Sequence, residues 1–175
     1  VTGVKFVPGT DFLVSTAEDG NILVWRNVVG TDNFEFHQKI SFHEGSICAL
    51  AAGNHLFATG GVDGNIAVFA LGLSDNTGNS NFEHIQTINI RKNFYPTCLA
   101  VQEAYGDNLL AIGGTSNDVY VCRINQNFST VETMVVALKG HEDWMKCLAW
   151  TKDGDSYLLS LGCQDRYIRL WRVRP

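Results

Sequence analysis

The sequence predicts an all-β fold built from a repeated sheet unit, and three observations support this. Four segments, at 17–25, 61–69, 115–122 and 163–171, share one pattern in which an Asp or Ser precedes an aromatic residue or Cys by six positions. Successive aromatic positions, at 25, 69, 122 and 171, are 44, 53 and 49 residues apart. No segment has the apolar spacing of an amphipathic helix. A period near 45 residues without helices indicates repeated β-structure.

Each repeat divides further into short strands. Asp19-Gly20 and Asp63-Gly64 supply the residues that a tight hairpin requires, and each is followed by an alternating apolar run. Further strands are expected upstream and between the repeats, including Phe36–Phe42, Phe82–Ile90 and Val131–Leu138. Four antiparallel strands per repeat predict one propeller blade each. Residues 1–175 are therefore expected to form a partial β-propeller of about four blades, with repeats near 1–26, 36–71, 82–124 and 131–174.

Composition limits the classes of function. The net charge of -5 argues against a surface built wholly for nucleic acid, and no apolar run is long enough to span a membrane. The five cysteines form no close pair, and four lie in apolar runs such as the one around Cys48, so we expect reduced thiols that pack as small hydrophobes. No histidine has ligand spacing with another, so the sequence predicts no metal site.

The last repeat resembles the WD-repeat family, because Gly140-His141 is followed by Asp165 and Trp171. His43, Asp63 and Phe69 form a weaker copy. The resemblance implies a hydrogen-bonded tetrad of His, Ser or Thr, Asp and Trp in each blade. The positions that carry it over are Ser15, Asp19 and Trp25 in blade one, His43, Thr59 and Asp63 in blade two, and His141, Asp165 and Trp171 in blade four. Phe69 departs from the pattern in blade two and Leu161 in blade four, and the histidine of blade one would precede Val1, so no blade is expected to keep the full tetrad.

The resemblance also implies how the strands are distributed among the blades. In this family a repeat supplies the outer strand of one blade and the three inner strands of the next. The chain would then hold three complete blades and three strands of a fourth, whereas the family usually closes a ring of seven. We therefore expect a fragment of a longer protein, able to self-associate through its uncovered ends.

The chain more specifically resembles the family of the second subunit of the Elongator complex. The segments that carry this resemblance are 140–146, 164–172, 94–99 and 109–115. This resemblance implies a two-propeller scaffold without a cofactor, bound to the large scaffold subunit and the catalytic subunit. Elongator installs a 5-carboxymethyl-type modification on the wobble uridine of transfer RNAs, so the expected role is non-catalytic support of that reaction. The expected location is the cytoplasm, with the nucleus as a second compartment.

Two further groups of residues are candidate contacts. Tyr95 and Trp144 each precede the first strand of a blade, where an exposed aromatic would suit a partner and a buried one would pack on the next blade. The basic residues of the last repeat are candidate contacts to transfer RNA or simply a solvated rim; they are Lys146, Arg166, Arg172 and Arg174. Two alternatives stay open: a WD-repeat adaptor of an unrelated complex, and a propeller enzyme, for which the sequence supplies no converging carboxylates.

Overall fold

The computed structural model describes residues 1–72, 80–104, 106–125, 131–132 and 138–173. These residues form fifteen β-strands and no helix. The strands are β1 (Gly3–Phe6), β2 (Phe12–Thr16), β3 (Asn21–Asn27), β4 (Phe34–Ser41), β5 (Ile47–Gly53), β6 (Leu56–Gly61), β7 (Ile66–Leu71), β8 (Phe82–Ile88), β9 (Pro96–Ala104), β10 (Asp107–Gly114), β11 (Tyr120–Ile124), β12 (Val131–Glu132), β13 (Met145–Asp153), β14 (Ser156–Cys163) and β15 (Ile168–Val173).

The strands form four separate antiparallel sheets in chain order. Blades one, two and three contain β1–β4, β5–β8 and β9–β12, and blade four contains β13–β15. The first strands of neighbouring blades, β1, β5, β9 and β13, lie beside one another. The predicted arrangement of three four-stranded blades and one three-stranded blade is confirmed for the described residues. Of the expected strand at 131–138, the structure describes β12 and a bridge between Val119 and Leu138.

The blades pack face to face through three apolar cores. One core joins blades one and two, a second joins blades two and three, and a third joins blades three and four. The described residues form no core between blades four and one, which agrees with the incomplete ring expected from the sequence. Ile22, Ile66 and Val119 occupy one repeated position and are fully buried, whereas Ile168 at the same position of blade four is 77% exposed.

Each hairpin between the second and third strands is held by a short polar side chain. The Oδ1 atoms of Asp19, Asp63 and Asp165 accept the backbone N–H two residues later, at 3.0, 3.0 and 2.9 Å. In blade three Ser116 Oγ accepts the N–H of Asp118 at 3.3 Å. A serine can replace the aspartate because the turn needs only a short side chain with an acceptor oxygen.

The cysteines range from buried to exposed, with Cys163 intermediate, and the expectation that Cys48 packs as a small hydrophobe is wrong. Cys98 and Cys122 are buried, and burial raises the pKa of their thiols to about 12 and about 11, which makes them inert at neutral pH. Cys48 and Cys147, in contrast, are exposed. Cys48 lies in an apolar run but occupies a bulge between Ile47 and Ala49 that turns it away from the core.

Candidate interaction surface

The loops that enter the blades and the hairpins between second and third strands meet at one end of the molecule. The evidence is a backbone hydrogen bond that recurs in three blades: Val62 N–H to Ser46 O (2.9 Å), Thr115 N–H to Tyr95 O (3.0 Å) and Gln164 N–H to Trp144 O (3.0 Å). This bond makes Ser46, Tyr95 and Trp144 equivalent positions. We call this end the hairpin face; it comprises the entering loops 42–46, 89–95 and 139–144 and the hairpins 17–20, 62–65, 115–118 and 164–167.

Blade two brings its three tetrad residues together beneath the hairpin face. His43 lies with Nε2 2.8 Å from Thr59 Oγ1 and Nδ1 3.1 Å from Asp63 Oδ2. Burial by itself raises the pKa of the Asp63 carboxyl, but hydrogen bonds from the N–H groups of Asn65 and Glu44 and from His43 outweigh it and lower the pKa. Phe69 stacks on Phe57 with ring centroids 4.9 Å apart, so the tryptophan position serves packing alone.

Blade one shows the other half of the tetrad. Trp25 Nε1–H donates to Ser15 Oγ at 2.9 Å. Asp19 uses its carboxylate locally, accepting the N–H of Asn21 and, at 2.7 Å, the side-chain amide of Asn21. The amide and then the N–H of Asn21 lower the pKa of the Asp19 carboxyl.

Blade four keeps the His–Asp pair but rebuilds its surroundings. His141 Nδ1 lies 3.0 Å from Asp165 Oδ2. The His141 ring packs against the Trp171 ring, with ring centroids 5.4 Å apart. Leu161 replaces the hydroxyl that caps His43 in blade two, and His141 Nε2 is accordingly buried without a hydrogen-bond partner among the described residues. Such an unpaired group costs about 1–3 kcal/mol.

Arg169 adds a cation to this pair. Its Nη1 lies 2.6 Å from Asp165 Oδ2 and 2.7 Å from His141 Nδ1. Burial raises the pKa of the Asp165 carboxyl, but hydrogen bonds from Tyr167 N–H, His141, Arg169 and Glu142 N–H outweigh it and hold the pKa well below its usual range. The carboxylate is therefore ionised and fully used by its neighbours.

The same place holds the residues nearest to a metal site in the described chain. One ligand atom from each of His141, Cys163 and Asp165 lies within 4.8 Å of the others. The Arg169 guanidinium contacts two of these three residues and already neutralises the carboxylate. A bound cation would be repelled by that guanidinium, so the trio does not fit a metal centre.

Tyr95 and Trp144 lie on the hairpin face with about half of their surface in solvent. Trp144 is 49% exposed and Tyr95 is 45% exposed. Both are fixed by the repeated backbone bond, and the Trp144 N–H is also capped by Asp143 Oδ1 at 2.8 Å. Half-exposed tyrosine and tryptophan side chains are the type that dominates protein interfaces.

The basic candidates do not form one patch. Lys146 occupies a bulge between Met145 and Cys147, with Nζ 5.9 Å from the centre of the Trp144 ring, and Arg166 lies in the adjacent hairpin. Arg172 is near the opposite end of β15, where it pairs with Asp153 at 2.7 Å. Arg174 lies outside the described residues. The structure thus brings Lys146 and Arg166 to the hairpin face with Trp144 and separates Arg172 from them.

Arg166 also shows what the sequence alone did not reveal. Its φ of 70° lies in the left-handed region that Gly20 (79°) and Gly64 (81°) occupy in the equivalent hairpins. The aligned repeats, with Asp-Gly twice and Asp-Arg once, contain the signal for this strain. In the described part of the chain, the structure contains no helix long and apolar enough to cross a membrane.

Comparison with known proteins supports the repeat assignment. The family described as "WD domain, G-beta repeat" matches residues 1–26 and 132–172. A computationally designed protein, Ika4, has the same fold, with a TM-score of 0.69, 19% identity, and coverage of 98% of this chain and 90% of that one.

Individual named proteins that are similar to this chain narrow the assignment further. Elongator complex protein 2 of Saccharomyces cerevisiae is 39% identical over 99% of this chain and 22% of that protein. Elongator complex protein 2 of Danio rerio is 30% identical over 92% of the chain and 19% of that protein. The chain thus spans about a fifth of the length of these relatives. Protein transport protein sec13 of Aspergillus clavatus is 24% identical over 91% of the chain and 59% of its own length. The chain is therefore a WD-repeat β-propeller segment with homologues named Elongator complex protein 2 across most of its length.

Proposed function

We propose that this chain is a non-catalytic scaffold segment of the Elongator complex, which supports 5-carboxymethyl-type modification of the transfer RNA wobble uridine through protein–protein contacts. The observation that carries the proposal is 39% identity to Elongator complex protein 2 of S. cerevisiae over 99% of the chain. The proposed partners are the large scaffold subunit and the catalytic subunit. The proposed location is the cytoplasm and the nucleus.

The geometry of the hairpin face supports contact rather than chemistry. The carboxylates of Asp63 and Asp165 are bound by backbone N–H groups and a histidine within their own blade, so neither is available as an acid or base. Trp144 and Tyr95 are exposed on fixed loops. A partner that covers Trp144 would bury a large apolar surface with little loss of conformational entropy.

Transfer RNA is proposed as a secondary and indirect partner, through Lys146 and Arg166 beside Trp144. Neither cation forms an ion pair within the described residues, in contrast to Arg172. Lys146→Ala and Arg166→Ala should each weaken transfer RNA binding and reduce its salt dependence, whereas Arg172→Ala, a change of equal charge at the opposite end, should leave both nearly unchanged. Equal effects of all three variants would refute this placement.

A second copy of the chain is the proposed occupant of the uncovered face of blade four. Ile168 and Leu170 are 77% and 66% exposed there, although the same repeated positions in blade two, Ile66 and Val68, are fully buried against the next blade. The face therefore has the composition of an interblade interface. The purified chain should sediment as an oligomer at micromolar concentration, and Ile168→Glu with Leu170→Glu should produce a monomer. A monomeric unmodified chain would refute the proposal.

An adaptor role in a different complex is the second candidate, and the similarity to protein transport protein sec13 favours it. The deciding experiment is affinity purification of the full-length parent protein followed by mass spectrometry. The Elongator proposal predicts near-equal recovery of the large scaffold and catalytic subunits. Recovery of another stable assembly without those subunits would refute it in favour of the adaptor.

The contribution of Trp144 is tested in the same purification. Trp144→Ala should reduce recovery of a partner subunit at least tenfold, corresponding to about 1.4 kcal/mol, without a change in the circular dichroism of the chain. Phe36→Ala is the matched control, because Phe36 is also an exposed aromatic, at 59%, on the outer strand of blade one. Loss of folded signal in Trp144→Ala would show that Trp144 serves packing instead.

A further inference from the structure

The hairpin face contains a pocket that the tetrad and the two candidate aromatics do not explain. It has a volume of about 300 Å³ and lies between the hairpin of blade two and the loop that enters blade three. Asp63 and Gly64 form one wall, and Arg91, Lys92 and Tyr95 lie on the other. This volume is at the lower limit for small-ligand pockets and suits one or two side chains of a peptide.

Blade three, whose entering loop lines one side of the pocket, lacks the His–Asp pair of blades two and four. The recurring backbone bond places Lys92 where blades two and four have His43 and His141, three residues before Tyr95. Ser116 stands where those blades have an aspartate. The histidines are buried against their carboxylates, whereas Lys92 has no carboxylate at the equivalent position and is exposed.

The charges around the pocket favour an anion. Arg91 and Lys92 are both exposed, and neither forms an ion pair with the residues that the structure describes. Asp63, the carboxylate in the lining, has only 9% of its side chain exposed and accepts hydrogen bonds from His43, Glu44 N–H and Asn65 N–H. Its charge is therefore directed into blade two, and the two exposed cations of the lining have no carboxylate paired with them among the described residues.

The wall that carries these cations is held rigidly. Phe94 is buried and packs edge-to-face on Tyr120 with ring centroids 5.7 Å apart. Its N–H donates to Arg91 O at 3.2 Å, which closes a turn, and Tyr95 exchanges two hydrogen bonds of 3.0 Å with Thr115. A fixed loop binds a ligand without first losing its own conformational entropy.

We propose that this pocket binds an acidic side chain of a partner peptide, with Arg91 and Lys92 holding the anion and Tyr95 contacting an adjacent apolar residue. A small site with two neighbouring cations suits a peptide better than an RNA backbone, which needs a row of basic residues along its length. The proposal does not depend on which complex contains the chain. Aspartate, glutamate and phosphoserine share the required chemistry.

The test is an NMR titration of the chain with three model peptides at low salt: Ac-Gly-Glu-Phe-Glu-Gly-NH2, its phosphoserine analogue, and its glutamine analogue. An anionic peptide should shift the backbone amides of residues 89–95 and bind about tenfold more tightly than the glutamine peptide. The anionic peptide that binds more tightly shows whether the pocket prefers a carboxylate or a phosphate. No shift of this loop with either anionic peptide, or equal binding of the glutamine peptide, would overturn the proposal.

Two variants and one competitor complete the design. Arg91→Gln with Lys92→Gln should weaken binding of the anionic peptide about tenfold. Lys5→Gln with Lys39→Gln is the control, because it removes the same charge from exposed positions of blade one. If the two double variants lose the same affinity for the anionic peptide, the effect is due to net charge alone and the proposed binding site is wrong. A decauridylate that binds residues 89–95 more tightly than both anionic peptides would assign the pocket to nucleic acid instead.

Discussion

The buried contact between His43 and Thr59 provides the sharpest test of how the blades are stabilised. Thr59 is fully buried, and its Oγ1 lies 2.8 Å from His43 Nε2. Thr59→Val preserves the shape of the side chain but removes the hydroxyl. The His43 ring is fully buried, so water cannot replace the lost partner.

The expected magnitude follows from burial. An unpaired buried polar group costs about 1–3 kcal/mol, and the added methyl returns at most about 0.8 kcal/mol. Thr59→Val should therefore lower the free energy of unfolding by about 0.2–2.2 kcal/mol, with a central value of about 1.2 kcal/mol. With a urea m-value of about 2 kcal/mol/M, this central value lowers the midpoint by about 0.6 M.

The matched control is Thr87→Val. Thr87 Oγ1 makes the same kind of contact, 3.0 Å from His84 Nε2, but the pair is exposed. Water can satisfy His84 in the variant, so the expected change is below about 0.5 kcal/mol. Urea unfolding followed by tryptophan fluorescence measures both variants. Equal midpoint shifts of the two variants, or a larger shift for Thr87→Val, would refute the burial argument.

Two further predictions concern single positions in blade four. Arg166→Gly should raise the free energy of unfolding by about 1 kcal/mol, because the left-handed φ of 70° is unfavourable for arginine and natural for glycine; an unchanged or lower urea midpoint would contradict this. Acid should destabilise the chain, because the pKa of Asp165 in the folded state is below the unfolded value of 3.8. At pH values between these two pKa values, the unfolded state binds more protons than the folded state. The stabilisation is complete above about pH 5 and is lost as pH falls through the folded pKa. Asp165→Asn should show a smaller loss of stability between pH 5 and pH 2 in thermal unfolding, and an unchanged acid dependence would show that other carboxylates are responsible.

The repeat pattern was sufficient to predict the blades, because each blade is a local unit. An aspartate-led hairpin followed by an alternating run specifies a turn and a strand within about ten residues, and Asp19, Asp63 and Asp165 all accept the backbone N–H that closes this turn. The degenerate third repeat folds in the same way because Ser116 meets the same local requirement. The tetrad contacts of His43 with Thr59 and Asp63 were likewise predicted by the family resemblance.

The tertiary structure decided which side chains are exposed and which charged residues pair with each other. Cys48 and Lys146 lie in bulges, and a bulge changes the face of a residue without any signal in the alternation of apolar residues. Arg169 lies on β15, which pairs with β14, and from there it contacts His141 and Asp165. Arg166 lies in the hairpin before β15 and Arg172 lies near the far end of that strand, so the two arginines are separated.

The sequence by itself determined the number of blades, their strand order and the positions of the hairpins, since these depend on contacts between residues close in the chain. The tertiary structure decided which aromatic residues face solvent, which carboxylates are already occupied, and where Arg91 and Lys92 meet the wall of blade two. The physical reason is that burial arises where neighbouring blades pack together, and charge compensation depends on which side chains of the loops and hairpins meet in space.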